Sequence, residues 1–145
     1  MPPRISAALF DRHIFIFIVL AVIMADYLSK IWAASGAIGI IKNTGFTFGI
    51  PLQSNLSLLA AISILALILI LVFRLKKPRK LLFTEKIFLG LIIGGGLANI
   101  IERLDRGYIT DFIKIYGAYV NIADIAIFLG IILIIINIKT GENAG

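Results

Sequence analysis

The sequence has no cysteine, which excludes disulfides, thiolate metal sites and cysteine nucleophiles together. It has a single histidine, His13, beside Arg12 at the start of an apolar run, so a histidine-dependent triad or zinc site has almost nothing to be built from. What it has in excess is apolar surface. Of its 145 residues 60% are hydrophobic and the mean hydropathy is +1.04, where soluble domains carry roughly 45–50% apolar residues. A soluble core of this size cannot hide so much, so the chain reads as an integral membrane protein. The net charge of +6 does not point to nucleic acid, because the basic residues are gathered in particular connections between apolar runs.

Four such runs lie at about 14–33, 56–73, 87–104 and 120–138, each near the roughly 20 residues that cross the hydrocarbon core. They predict one membrane domain over 1–145. Arg4 and Arg12 ahead of the first run give it the look of a signal peptide, but Asp26, Ser29 and Lys30 follow without a small-residue cleavage pattern. We read it as a retained helix. The N-terminal segment, the connection containing Pro78 and the C-terminal segment hold nine Lys and Arg against three acids; the other side holds five of each. Basic residues stay in the cytoplasm. Both termini are therefore expected there, with residues 34–55 and 105–119 outside. The first outer connection alternates glycines with Ile38, Ile40, Ile41, Phe46 and Phe48, which predicts short strands. The second carries Tyr108, Phe112, Tyr116 and Tyr119, rings suited to a membrane interface.

Polar groups inside apolar runs are costly unless paired, hydrated or used, and here all lie toward the outer ends. Asp26 and Lys30 are one turn apart; the plain reading is a local ion pair anchoring a helix end, the other a functional acid. Asn99 and Arg103 share a helix face, with Glu102 turned about 100° from Arg103. Gly90, Gly94 and Ala98 recur every four residues, a spacing that lets helices approach closely. Asn121 and Asp124 open the fourth run, and Asp124 has no Lys or Arg within four positions. Asp111, in the loop before it, alone reads as a solvated acid. Two carboxylates brought together change that, because adjacent like charges share one proton. Such a pair can hydrolyse a peptide: the ionised member takes a proton from the attacking water, and the protonated member donates to the carbonyl oxygen and then the leaving amine.

These residues fall in segments that resemble a known family. Asp26-Tyr27-Leu28-Ser29-Lys30, Asn43-Thr44-Gly45 with Phe46 to Gly49, Gly94 to Arg103, Ile109-Thr110-Asp111-Phe112, and Val120-Asn121-Ile122-Ala123-Asp124 are similar, in order, to the five motifs of the lipoprotein (type II) signal peptidases. The resemblance implies an all-α integral membrane protein of four transmembrane helices. It also implies a small extracytoplasmic β-cradle over about 34–55 and a short extracytoplasmic helix near 112–118. The activity implied is that of an aspartic endopeptidase of the bacterial inner membrane. It would cleave a prolipoprotein on the N-terminal side of a diacylglyceryl-modified cysteine, with Asp111 and Asp124 as the catalytic pair. Asn99, Arg103 and Asn121 would orient the pair and the substrate, and Asp26 and Asn43 would support the site. No metal or cofactor is expected, no nucleic acid, and a monomer in contact with membrane lipid. Two departures stand out: Glu102 where the family usually has Asp, and Phe46 where it usually has a small residue. The competing class is a small proton-linked transporter or channel subunit, disfavoured because the acids cluster at the outer ends instead of tracing a path across the bilayer.

Overall fold

Near-unbroken runs of Ile, Leu, Val and Ala fold as helices because a helix satisfies its own backbone polar groups without water. The computed structural model describes residues 5–45, 54–75 and 82–142. The runs fall in four long helices, α1 (Ile5–Trp32), α2 (Ser54–Leu75), α3 (Phe83–Arg106) and α4 (Ile122–Glu142). His13–Gly36 and Phe83–Arg106 are long and apolar enough to cross a membrane; Leu56–Ile70 and Ile122–Asn137 are shorter apolar stretches. Large apolar side chains such as Phe17, Leu20, Leu67, Ile70 and Phe128 face outward, a surface that belongs in lipid.

α3 is the central helix, packed closely on α1 and α4 and less extensively on α2. Its glycines make this possible on two faces. A Cβ at Gly90 would meet Ile18, and one at Gly94 would meet Val19 and Val22, so that stripe receives α1. Gly95 receives α4: a Cβ there would overlap the Ala123 carbonyl oxygen and stand 2.8 Å from Ile127 Cγ1. Gly130 reciprocates from α4, with the Phe88 carbonyl oxygen 2.7 Å from where its Cβ would be. Small residues let backbones approach, and dispersion then holds the helices together.

Two small antiparallel sheets cap one end of the bundle. β1 (Ile41–Asn43) pairs with β2 (Ile109–Asp111), with Ile41 opposite Asp111 and Asn43 opposite Ile109. The strand of the first outer connection thus takes its partner from the second, whereas the cradle was expected from 34–55 alone; residues 46–53, including Phe46, lie outside the described residues. β3 (Ile113–Ile115) and β4 (Ala118–Val120) form a hairpin where a short helix was expected over 112–118. The sequence explains this correction. β-branched Ile113 and Ile115 alternate with Lys114, and the two-residue turn has Tyr116 at φ 45° and Gly117 at φ 90°. Two left-handed residues in succession make the tight turn whose twist matches paired strands, and glycine takes that conformation without cost.

Candidate active site

The capped end of the bundle gathers the polar residues. α3 ends at Gly107, whose N–H donates to the Arg103 carbonyl at 3.0 Å. β2 follows at once, bringing Asp111 back over the helix ends. Asp111 is 1% exposed, and both its carboxylate oxygens are held: Asn121 Nδ2 donates to Oδ1 at 2.7 Å and Asn43 Nδ2 to Oδ2 at 2.9 Å. Asn43 reaches it because residues 43 and 111 lie diagonally on one face of the β1–β2 pair. Asp124 sits in the first turn of α4, and its Oδ1 accepts from Asn99 Nδ2 at 2.8 Å.

Asn121 links the two acids. It caps the N-terminus of α4, its Oδ1 accepting the Asp124 backbone N–H at 2.9 Å, while its amide nitrogen holds Asp111. A second capping acceptor comes from another helix: Asp26 Oδ1 takes the Ala123 N–H at 2.9 Å. In all three asparagines the amide direction is fixed by what its oxygen accepts. Asn43 Oδ1 takes the Gly45 N–H at 3.1 Å, Asn121 Oδ1 the Asp124 N–H, and Asn99 Oδ1 the Lys30 ammonium at 3.4 Å. With the oxygen occupied, only the NH₂ end is left for a carboxylate.

Arg103, expected to orient the pair and the substrate, binds two backbone carbonyls. Nη1 donates to the Ser57 carbonyl at 3.2 Å and Nη2 to the Gly45 carbonyl at 2.7 Å, tying α2 and the first outer connection to α3. Its Nε is buried with no partner among the described residues, and such a donor costs roughly 1–3 kcal/mol until something accepts from it. Asp111 and Asp124 are near enough for their charges to act on the guanidinium. Two residues outside the expected set also belong to the cluster. Lys30 pairs with Asp26 at 2.6 Å and Glu102 at 2.7 Å, and Glu102 also accepts from the Thr110 hydroxyl at 2.7 Å and backbone N–H at 3.2 Å. The angle of Glu102 from Arg103 on a helical wheel gives no sign of this, since Lys30 comes from α1 and Thr110 from β2.

Burial pushes the Asp111 carboxyl up to about 6 from its usual 3.8, and the Asp124 charge pushes the same way, against the Asn43 and Asn121 amides and the Lys30 charge. The two acids open onto a cavity of about 700 Å³, whose walls are apolar side chains of α2, α3 and α4, among them Ile64, Leu65, Ile92 and Phe128. Asn43, Asn99, Arg103, Asp111 and Asp124 are the polar groups of its lining.

Among proteins of known sequence, the chain is 33% identical over 146 residues to the lipoprotein signal peptidase of Dichelobacter nodosus, covering 86% of this chain and 93% of that one. It is 35% identical over 142 residues to that of Dehalococcoides mccartyi, covering 85% and 88%. A solved bacterial membrane enzyme superposes with a TM-score of 0.74 at 26% identity, over 90% of both chains; another gives 0.68 at 27% identity, over 87% of this chain and 92% of that one. The sequence model described as Signal peptidase (SPase) II matches residues 18–140, a span holding every side chain of the cluster just described, and the chain belongs to that family.

Proposed function

We propose that this protein removes the signal peptide from lipid-modified prolipoproteins, as an aspartic endopeptidase with Asp111 and Asp124 as its catalytic pair. The observation that carries the reading is Asn121, which binds the Asp111 carboxylate and the Asp124 backbone at once, behind two acids that line an apolar cavity. Acids on separate elements are thereby kept together despite their repulsion. Asp111, with an amide N–H on each oxygen, is suited to be the ionised base that takes the proton of the attacking water. Asp124 gives its proton to the carbonyl oxygen; on collapse of the tetrahedral diol it takes a hydroxyl proton back, while Asp111 passes the proton taken from water to the leaving amine. The partnerless Nε–H of Arg103 is a donor for a substrate carbonyl. Asn99 and Asn43 hold the acids in place; Asp26 holds the first turn of α4.

In this reading all four helices span the bacterial inner membrane, both termini are cytoplasmic and the site lies toward the outer face, as the loop charges support. The chain is taken to act as a monomer in contact with membrane lipid. The scissile bond lies N-terminal to the diacylglyceryl-modified cysteine, with the acyl chains against the apolar cavity walls.

Two results are expected. Each buried CH₂ of lipid contributes about 0.8 kcal/mol, so purified protein in detergent should cut a diacylglyceryl-modified precursor at least about 100-fold faster than the same precursor without lipid. Equal rates would point to a general membrane peptidase. The base must be ionised, and Asp111 titrates at about 6; kcat should therefore fall about tenfold per pH unit below that value. Turnover undiminished at pH 4 would remove Asp111 from the role of base.

A further inference from the structure

Lys30 has no part in the hydrolysis just described, yet it is a lysine at 4% exposure. A helix-end anchor needs only Asp26, one turn away, and room to reach water. Lys30 instead turns inward and satisfies its three N–H donors on Asp26 Oδ2 at 2.6 Å, Glu102 Oε2 at 2.7 Å and Asn99 Oδ1 at 3.4 Å. Each of these acceptors also contacts a member of the acid pair or the residue before one. Asn99 donates to Asp124; Asp26 accepts from Ala123, the residue before Asp124; Glu102 accepts from Thr110, the residue before Asp111. One ammonium thus joins α1 to α3 directly, and to α4 and β2 through one further residue.

We propose that Lys30 is a positioning residue for the hydrolysis, fixing the direction of the Asn99 amide and the spacing of Asp111 and Asp124. The proposal rests on the aspartic reading above. An ammonium on Asn99 Oδ1 leaves only the NH₂ end for Asp124; without it the amide is free to turn and present its oxygen to a carboxylate. The groups facing Lys30 are Asp26 on α1, Asn99 and Glu102 on α3, with Arg106 behind Glu102 at 3.5 Å. Beyond them, Asp111 on β2 and Asp124 on α4 feel its charge, which lowers the Asp111 pKa against burial.

The test compares Lys30→Met and Lys30→Arg with the parent, reading kcat and KM for the lipid-modified precursor across pH, with folded fraction measured alongside. Lys30→Met should lower kcat about 100-fold, as misplacement of reacting groups by about 1 Å does, with KM within about threefold. Its acid limb should move up by about one pH unit, because a cation that favoured ionised Asp111 is gone. Lys30→Arg keeps the charge and should keep the acid limb in place. Since Lys30→Met strands two carboxylates and can unfold the protein, Lys30→Gln/Glu102→Gln removes opposite charges together and should show the same split of lost kcat and kept KM. Parental kcat and acid limb in a folded variant, or a loss that merely follows the folded fraction with the limb unmoved, overturns the proposal. Asp111→Asn is assayed beside them. Turnover in that variant overturns the aspartic reading and this proposal with it; an inactive Asp111→Asn next to Lys30 variants of parental profile overturns this proposal alone.

Discussion

Asp111→Asn and Asp124→Asn should each reduce turnover by on the order of ten-thousand-fold, and the double variant should be hardly worse than either. An amide accepts no proton from water at neutral pH and carries none to a leaving amine, so removing one member disables the pair. The two positions differ in what the substitution does to folding. Asp111 accepts from Asn43 and Asn121, one on each oxygen. An asparagine there accepts from one of them and turns its own NH₂ toward the other, at a cost of roughly 1–3 kcal/mol. Against this, the folded protein holds the Asp111 proton more tightly than the unfolded chain does, with a pKa of about 6 against 3.8. The raised pKa means that folding loses stability as pH rises through that window, on the order of 3 kcal/mol above pH 6, and a neutral residue escapes the loss. The two effects nearly offset, and Asp111→Asn should melt within a few degrees of the parent at pH 8. The Asp124 carboxylate accepts from the Asn99 amide and from the Asn121 backbone N–H; an asparagine keeps the Asn99 bond on its oxygen, and melting should stay within a few degrees of the parent's. Near-normal turnover in either single variant would take that residue out of the pair. Lost turnover with collapsed melting would make its role structural.

Gly95→Ala should be the most damaging conservative change in the helix bundle, and Gly96→Ala, one residue on, nearly silent in melting. The Gly95 methyl would overlap a backbone atom, the Ala123 carbonyl oxygen, and α4 cannot yield there without moving its first turn, which carries Asp124. Overpacking of this kind costs about 1–3 kcal/mol, occasionally more, so melting should fall by on the order of 10 °C. A displacement of Asp124 by about 1 Å should lower kcat by about 100-fold in whatever fraction stays folded. The Gly96 methyl meets only the tip of Leu65, at 3.0 and 3.1 Å, and a leucine end can turn aside. Equal melting losses in the two variants would show that the α3–α4 approach at Gly95 is not what sets their separation.

Much of this was legible in the sequence, for a particular reason. An ionisable or amide side chain in an apolar run has few bland explanations, and Asp124, Asn99 and Asn121 stood out on that ground. Asp111 gained meaning only from the prospect of a second acid nearby. The Asp26–Lys30 ion pair is legible because the two lie four residues apart, whereas Asn99 and Glu102 reach Lys30 from another helix and no local spacing announces them. The helical-wheel angle of Glu102 describes one helix and is silent about Lys30 and Thr110, which other elements bring. Arg103 shared a face with Asn99, as the spacing indicated, but its guanidinium went to two backbone carbonyls, partners that no side-chain pattern reveals. The β3–β4 hairpin is legible in the alternation of Ile113, Lys114 and Ile115 before Tyr116-Gly117, where the resemblance implies a short helix. The pairing of β1 with β2 joins segments more than sixty residues apart, a distance at which local pattern carries no information.

In the proposed reaction this chain cuts a lipid-modified precursor at one bond, using two aspartates that line an apolar cavity. Its most direct test is mass spectrometry of both fragments after incubating the purified protein with a diacylglyceryl-modified prolipoprotein. The account predicts one released signal peptide, ending at the residue before the modified cysteine, and a lipoprotein that begins with that cysteine, neither product appearing with Asp111→Asn. A precursor left intact by the folded parent protein, or cut elsewhere, would contradict it.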